Sequence, residues 1–472
     1  MSAQGGRGQR QNRRGVEQRS THVQPAREVA FEVIRATSLD DAYANLLLPA
    51  ELERAGLNTA DAGLATELTY GTLRRRGAYE QIVRIASGRE LNEIDQGVLD
   101  ALCLGAHQLL STRVAAHAAV NESVELARRE AGRGAAGFAN AVLRRISRDD
   151  LVTWDERIMA SARSDDEALG FRTSHPVWIL RAFRRALAAT GSADELEALL
   201  DADNASPRVT MVALPGLAEI AGKATAYSPV GFRGPQGDPD SMVRESNGAR
   251  RVQDEGSQLV ALALSRLSPV QAGESWLDLC AGPGGKTALL AAEALASGAK
   301  LEANEVVPAR AGLVRRALEA VPGTIEVHER DGRELARERA GQFDRILVDA
   351  PCTGLGALRR RPEARWRKRP SDVAELVEIQ TELLDAALDA VKPGGVVAYV
   401  TCSPHLAETS GVVRTIMDGR SDVELLDAPA AIRAVARGPI DIAEREDGLP
   451  VAQLWPHRHG TDAMFLALIR RR

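Results

Sequence analysis

Apolar residues are spaced in two different ways along the chain. From Ala26 to about Ile146 they recur every three or four residues, in segments such as REVAFEVIRAT and QGVLDALCLGAHQLL. This spacing is typical of amphipathic helices. Glycines at positions 56, 88 and 132 divide the pattern into short helices. We therefore predict an all-α bundle for the N-terminal part of the chain.

From Ser275 onward, short apolar runs alternate with helical patterns. The runs are SWLDLC, KLEANE, TIEVHERD, DRILVDA and GVVAYVTC. Alternation of this kind predicts parallel strands connected by helices, in a doubly wound α/β domain. Two more candidate strands, VELLD and AMFLALIRR, follow near the C-terminus.

The region between these two patterns is less regular. Two amphipathic helices, WILRAFRRALAA and ADELEALLDADN, precede a strand, PRVTMVAL, and a Gly/Pro-rich stretch. QDEGSQLVALAL then starts a helix that leads into the central sheet. We predict a helical domain over 25–150, a small α+β domain over 151–260 and an α/β domain over 261–472. Residues 1–24 are Arg-, Gln- and Gly-rich, which predicts a disordered basic tail that serves either RNA contact or solubility.

Composition narrows the class of protein. The chain has a net charge of -5 and lacks both an 18-residue apolar span and a secretory signal pattern. We therefore expect a cytoplasmic protein that does not contact a membrane. The four cysteines form no CxxC pair and no zinc-like spacing, so we expect free thiols and no bound metal. We also expect a monomer.

The stretch SWLDLCAGPGGKT joins a predicted strand to a predicted helix through a glycine-rich turn. Such a turn lets the backbone approach a ligand, and the helix start offers free N–H groups. A P-loop is excluded, because its first glycine would fall at Cys280. A tight turn without a ligand is the alternative for the glycines alone. The cofactor-binding residues predicted here are Asp278, Cys280, Ala281, Gly282, Pro283, Gly284, Gly285 and Lys286.

Acidic residues follow the other predicted strands, at the sheet edge where ligands bind in such folds. Glu305 lies about 20 residues past the turn, a position that suits ribose hydroxyls. NAD and S-adenosylmethionine both carry such a ribose, so this feature does not separate them. Asp331 could reach an adenine amino group, although each acid taken singly also fits a helix cap. Asp349 and Arg310 complete the predicted cofactor set.

Two cysteines distinguish these possibilities. Cys352 follows the strand DRILVDA and Cys402 ends the strand GVVAYVT. Because consecutive parallel strands are usually neighbours about 4.8 Å apart, both thiols should meet at one sheet edge. A disulfide is not expected in the cytosol, and two sulfurs make a poor zinc site. A thiolate in a cleft is a strong nucleophile when positive surroundings lower its pKa.

Basic residues dominate the nearby segment RRRPEARWRKR, at 359–369. Arginines interleaved with a tryptophan suit contact with an RNA backbone and stacking on a base. A solvated basic loop is the alternative. The predicted RNA-binding residues are Arg359, Arg360, Arg361, Arg365, Trp366 and Arg367.

Several motifs together resemble one family. DAPCTG at 349–354 and TCS at 401–403 resemble the two-cysteine signature of the Sun-type bacterial ribosomal RNA cytosine-5 methyltransferases. DLCAGPGGKT resembles the S-adenosylmethionine loop of that family, and VQDEGSQL and PHRHGTDAMFLA resemble its flanking motifs. The helical segment resembles the NusB-like RNA-binding domain that precedes the catalytic domain in this family. Two departures stand out, because Gly282 replaces a common Ala and Glu305 replaces a common Asp.

The resemblance implies a class I (Rossmann-like) methyltransferase domain whose last strand is antiparallel. It implies S-adenosylmethionine as cofactor and RNA as partner, most simply 16S ribosomal RNA. Carried over from the family, Cys402 is the nucleophile, Cys352 assists product release and Asp349 hydrogen-bonds the cytosine ring. A transfer RNA substrate, or a non-catalytic RNA-binding assembly factor, is the alternative.

Overall fold

The computed structural model describes residues 23–40, 42–235 and 239–472, so the predicted basic tail lies almost entirely outside the described residues. The N-terminal region is the predicted all-α bundle, with one shared apolar core. Its long sixth helix is broken at Gly132, where φ is +80°. The helices are α1 (Pro25–Leu39), α2 (Ala44–Arg54), α3 (Thr59–Arg74), α4 (Arg76–Ser87), α5 (Gln96–Ser111), α6 (Ala116–Ile146) and α7 (Leu151–Ala160).

The helical core extends beyond the predicted boundary at residue 150. Trp154 and Ile158, on α7, are buried in the N-terminal core. The indole N–H of Trp154 also donates a hydrogen bond to the carbonyl oxygen of Ile146, over 3.0 Å. Helix α7 therefore contributes to the core of the bundle and also contacts the next helix along the chain, and the boundary at residue 150 stays a prediction.

The middle segment does not form one independent core. Its elements are α8 (Asp165–Thr173), α9 (Val177–Ala188), α10 (Leu196–Asn204), β1 (Thr210–Ala213), β2 (Gly231–Arg233), α11 (Pro239–Glu245) and β3 (Arg250–Val252). The strands form an antiparallel sheet in the order β2-β1-β3. Helices α9 and α10 share a core with Leu355, Leu358 and Trp455 of the C-terminal region. The prediction of one small α+β domain over 151–260 is corrected accordingly.

The C-terminal region is the predicted α/β domain. Its strands are β4 (Ser275–Asp278), β5 (Lys300–Asn304), β6 (Glu326–His328), β7 (Phe343–Asp349), β8 (Val391–Thr401), β9 (Val423–Leu426), β10 (Ala452–Gln453) and β11 (Phe465–Arg471). Its helices are α12 (Glu255–Ser265), α13 (Gly285–Ser297), α14 (Pro308–Leu318), α15 (Gly332–Glu338), α16 (Ala364–Arg367), α17 (Pro370–Ala390), α18 (Ser410–Gly419), α19 (Ala428–Val435) and α20 (Pro456–His459). Separate apolar cores cover the two faces of the sheet.

The strand order positions the site. The sheet runs β10-β11-β8-β7-β4-β5-β6, and β9 pairs with β11. Strands β4 to β8 are parallel, whereas β11 is antiparallel to β8, as predicted. The chain leaves β4 toward β5 on one side and returns to β7 on the other. This reversal opens a crevice at the carboxyl ends of β4 and β7, where ligands bind in such folds.

Among the described residues, no helix combines the length and the apolar character needed to cross a lipid bilayer.

Candidate active site

Two thiols meet at the carboxyl edge of the sheet. Strands β7 and β8 are parallel neighbours, with Asp349 aligned to Val400. The loops that follow them bring the sulfur atoms of Cys352 and Cys402 within 3.5 Å of each other. The prediction that both sulfurs converge over one cleft is therefore confirmed.

The two thiols differ in acidity. The hydrogen bond from Cys352 is the main factor that lowers the pKa of Cys402, and the ammonium group of Lys286 lowers it further against the opposing effect of burial. The pKa of Cys352 is raised well above its usual value, first by the hydrogen bond to Cys402 and then by burial. Either sulfur can donate in this geometry, and the two pKa directions favour the arrangement in which Cys402 ionises and Cys352 keeps its proton.

A partly buried ion pair lies beside the thiols. Lys286 in the first turn of α13 places its Nζ 2.8 Å from Oδ2 of Asp349, at the end of β7. Burial alone would lower the pKa of Lys286, but the charge of Asp349 and its hydrogen bond raise it overall. The pair therefore holds a cation next to Cys402 and fixes the Asp349 carboxylate in the cleft.

A buried carboxylate that the sequence did not single out fixes both thiol-bearing loops. Glu408 is fully buried and accepts hydrogen bonds from both the backbone N–H and the hydroxyl of Thr353, over 2.7 and 2.5 Å. It also accepts one from the Ser403 hydroxyl, over 2.6 Å. These residues directly follow Cys352 and Cys402 in the chain. No pattern in the sequence marks this acid, because its Thr353 donors lie 55 residues earlier in the chain.

We expect Glu408→Ala to lower the free energy of unfolding by about 3 kcal/mol or more, because several buried donors lose a charged acceptor. Glu408→Gln keeps the shape and one oxygen acceptor, so it should retain most of that stability. Urea unfolding checks both values. The exposed Glu375 on α17 gives a matched control, and Glu375→Ala should stay within about 0.5 kcal/mol of the unchanged protein. Equal stability of Glu408→Ala and that control would contradict the assigned role.

The glycine-rich loop has the form that a nucleotide-like cofactor needs. Gly284 has a φ of +103°, and a Cβ there would lie 2.5 Å from the Cβ of Ala317. It is also the N-cap of α13 and has no side-chain cap, so the first-turn N–H groups are available to a ligand. Asp278 accepts a 2.7 Å hydrogen bond from Thr287, and within the described part of the chain its other oxygen has no hydrogen-bond partner. Burial raises the pKa of Asp278 to about 7, despite the opposing bond from Thr287.

The carboxylate of Glu305 lies directly against the backbone of Gly282. One carboxylate oxygen of Glu305 accepts from the backbone N–H of Gly282 over 3.1 Å, and the other accepts from Val307 over 3.0 Å. A Cβ at position 282 would lie 2.1 Å from that first oxygen. The longer acid therefore occupies the space that an alanine would need. The two departures from the family pattern compensate for each other.

We expect Gly282→Ala to weaken binding of S-adenosylhomocysteine about tenfold, because overpacking of this kind costs about 1–3 kcal/mol. Adding Glu305→Asp should restore most of the affinity, since the shorter acid vacates the space. Titration calorimetry on both single variants and the double variant measures the coupling, expected at about 1 kcal/mol or more. If the losses of binding free energy in the two single variants simply add up in the double variant, the two residues do not compensate for each other.

The remaining predicted cofactor residues lie around the same edge. The Arg310 guanidinium donates to the carbonyl oxygen of Gly282 over 2.6 Å. Asp331 is the N-cap of α15 and also binds the Arg333 side chain, with one Nε distance of 2.9 Å. The Arg333 hydrogen bonds are the main reason that the pKa of Asp331 is lowered to about 2. Its carboxylate keeps free lone pairs, so a contact with adenine stays a prediction.

The basic segment 359–369 is not the free surface that the sequence predicted. Arg359 is buried and its guanidinium pairs with Asp254 over 2.6 Å and with Asp462 over 3.1 Å. Arg365 is fully buried and donates to the carbonyl oxygen of Ser174 over 3.0 Å. Both side chains are therefore withdrawn from the exposed surface, although Nε and Nη2 of Arg365 have no hydrogen-bond partner among the described residues. Contact between these two arginines and RNA stays a prediction that their burial does not favour.

The other residues of this segment contact the helical bundle or keep exposed surface. The Arg361 and Arg367 guanidinium groups lie over the ring of Tyr43, at 5.5 and 4.9 Å from its centroid. Trp366 packs against Gly77 but is 38% exposed. Arg360 pairs with Asp462, and its side chain stays 42% exposed. The segment therefore connects the catalytic domain to the bundle, and RNA contacts by Arg360, Arg361, Trp366 and Arg367 stay predictions, with Arg360, Arg361 and Trp366 the exposed members.

Family models match both the C-terminal and the N-terminal part of the chain. The model described as 16S rRNA methyltransferase RsmB/F matches residues 265–470, and the NusB family model matches residues 24–148. A Mycobacterium tuberculosis protein named "Putative methyltransferase" is 49% identical over 458 residues, which cover 95% of this chain and 97% of the relative. Ribosomal RNA small subunit methyltransferase B of Vibrio cholerae is 33% identical over 399 residues, covering 81% and 87%.

Solved structures show the same architecture. The crystal structure of PH0851 aligns with a TM-score of 0.77 at 21% identity, covering 95% of this chain and 99% of that one. A methyltransferase homolog protein from Pyrococcus horikoshii aligns with a TM-score of 0.51 at 23% identity, covering 64% and 98%. At these identities the likeness establishes the fold.

Proposed function

Because this chain belongs to the RsmB/F family of S-adenosylmethionine-dependent RNA methyltransferases, we propose that it methylates carbon 5 of a cytosine in 16S ribosomal RNA through Cys402. The observation that carries the proposal is the pair of sulfurs 3.5 Å apart, of which Cys402 has the lowered pKa. A cleft thiolate is the nucleophile that this chemistry requires, because carbon 5 of cytosine is itself weakly nucleophilic.

The residues of the β4–α13 loop would hold the cofactor. Glu305 would accept from the ribose hydroxyls, and the uncapped start of α13 would face the anionic end. S-adenosylmethionine, when bound, supplies a methyl group on a positively charged sulfur. Asp278 supports the fit, because its buried carboxyl has one oxygen that no described residue contacts.

Cys402 would act first on the substrate. Its thiolate would add to carbon 6 of cytosine, and the electron pair of the 5,6 double bond would shift to carbon 5 and on toward the ring nitrogen. Carbon 5 would then bond to the methyl group, with S-adenosylhomocysteine as the leaving group. A base would remove the carbon 5 proton, and the carbon 6–sulfur bond would break as the 5,6 double bond re-forms, which returns an electron pair to sulfur. Lys286 stabilises the thiolate before the addition and after its release.

Two neighbours would assist. Asp349, fixed by the 2.8 Å pair with Lys286, would hydrogen-bond the ring nitrogen and the amino group as charge develops. Cys352 would donate its S–H to the departing sulfur of Cys402. The cytosine must leave any helical stack to reach this cleft, at a cost of roughly a few kcal/mol. Exposed parts of Arg360 and Trp366 are the candidates that would hold the extruded strand.

Bisulfite sequencing of 16S ribosomal RNA from cells with and without the gene tests the proposal. We expect one protected cytosine that loses protection when the gene is deleted and regains it with the intact gene, but not with a Cys402→Ala copy. If gene-dependent protected cytosines occur only in transfer RNA, transfer RNA is the substrate in place of 16S ribosomal RNA. The absence of any gene-dependent 5-methylcytosine, with S-adenosylmethionine binding also absent, would favour a non-catalytic assembly factor.

A further inference from the structure

A buried amide beside the cofactor loop lacks a partner. Gln253 joins β3 to α12 and is 6% exposed. Its backbone is satisfied, since its N–H donates to Thr210 over 3.0 Å and its carbonyl accepts from Gln258 over 3.0 Å. Among the described residues, neither its side-chain oxygen nor its side-chain nitrogen has a hydrogen-bond partner. Buried polar groups are usually paired, so an unpaired amide points to a ligand.

The amide lies over the first turn of α13. A Cβ built on Gly285 would be 3.9 Å from both the amide carbon and the amide nitrogen of Gln253. Gly284, the N-cap, provides no side-chain acceptor for the N–H groups of that turn. The N–H groups of the first turn of α13, which no side chain caps, therefore lie next to the unpaired amide of Gln253.

The position of Gln253 is fixed before any ligand arrives. The next residue, Asp254, caps α12 through a 2.9 Å hydrogen bond to the N–H of Gly256. Asp254 also pairs with Arg359 over 2.6 Å. An amide held in place in this way loses little freedom when it binds, which favours affinity.

These groups match the charged end of an amino acid. A helix N-terminus attracts a carboxylate, and the amide offers a donor to a carboxylate and an acceptor to an ammonium group. S-adenosylmethionine carries both groups at its methionine end. We propose that Gln253 and the first turn of α13 bind the methionine carboxylate and ammonium group of this cofactor. The inference deepens the proposed function but depends only on the cofactor, whichever RNA base is methylated.

Binding of two ligands to the full chain tests the assignment. S-adenosylhomocysteine carries the amino-acid end, whereas 5′-methylthioadenosine keeps the nucleoside and lacks that end. We expect Gln253→Met and Gln253→Glu to raise the Kd for S-adenosylhomocysteine about tenfold or more by titration calorimetry, and to leave the Kd for 5′-methylthioadenosine within about twofold. The melting temperature of ligand-free Gln253→Met should be unchanged or higher, because an unpaired buried amide is removed.

Gln108 on α5, in the helical bundle, provides the matched control. It is also a buried glutamine, but its side-chain oxygen accepts from Arg27 over 2.6 Å and its amide nitrogen donates to the carbonyl oxygen of Leu104 over 3.3 Å. Gln108→Met should lower the melting temperature and should not discriminate between the two ligands. An equal loss of both ligands in the Gln253 variants would overturn the proposal, since Gln253 would then only shape the pocket.

Unchanged binding of both ligands, with weaker binding of a 16S ribosomal RNA fragment, would also overturn it and assign the amide to RNA. The calorimetry contains no RNA. If the chain does not methylate carbon 5 of cytosine, the bisulfite sequencing will show it, and the Kd values measured by calorimetry will be unaffected.

Discussion

Replacement of Cys402 by alanine is expected to abolish methyl transfer to RNA while leaving binding of S-adenosylmethionine intact. The thiol has the lowered pKa of the pair, whereas the pKa of the neighbouring Cys352 is raised, so Cys352 is a poorer nucleophile. Incorporation of labelled methyl groups into 16S ribosomal RNA measures the loss, and titration calorimetry measures cofactor affinity. A stable fold is expected, because the substitution removes one small sulfur from a partly exposed site.

Cys103 gives the control for this prediction. It is a buried thiol in the N-terminal core, within α5. Cys103→Ala should keep methyl transfer close to that of the unchanged chain, although some stability is lost with the sulfur. Turnover of Cys402→Ala within about tenfold of the unchanged enzyme would be incompatible with covalent catalysis at this residue.

Replacement of Cys352 by alanine is expected to trap the enzyme on its RNA. In the proposed mechanism the S–H of Cys352, 3.5 Å from the sulfur of Cys402, donates to that sulfur, so its loss removes the group that would stabilise the departing thiolate. Addition would still proceed, whereas release would slow by about 10²-fold or more, the usual contribution of a positioned proton donor. A slowly migrating, nuclease-sensitive band on a denaturing gel measures the trapped complex.

The double variant provides the control for trapping. Cys352→Ala combined with Cys402→Ala should give no shifted band, because the residue that forms the bond is gone. A shifted band that persists in the double variant would assign the adduct to another residue. Equal and near-normal turnover in both single variants would rule out both roles.

Much of this arrangement could be predicted from the chain itself. The alternation of apolar runs predicted the parallel strands, and the neighbouring order of β7 and β8 predicted that Cys352 and Cys402 would meet. These inferences succeed because strand direction and adjacency follow from simple rules of chain connection. The position of the glycine-rich turn at the end of β4 followed from the same pattern.

Other features depend on partners that are distant in sequence. A run of arginines has the same appearance whether it faces solvent or buried carboxylates, and only the fold brings Asp254 and Asp462 to Arg359. Glu408 acquires its role only when the loops after β7 and β8 come together around it. The α7 helix likewise joined the N-terminal core because of its packing, which the spacing of its apolar residues does not specify.

The arginine segment has a consequence for how this enzyme can be divided. Arg367 donates to the backbone of Thr37 and Ala42, and Arg365 to that of Arg74 and Ser174. Burial lowers the pKa of Arg365 to about 10, and the group remains charged at neutral pH. A catalytic half cut away from the helical bundle would lose the backbone acceptors of Thr37, Ala42 and Arg74 and would expose the face of Trp366 that packs on Gly77. We therefore expect exchange of either half between relatives to require matching residues on both sides of this contact.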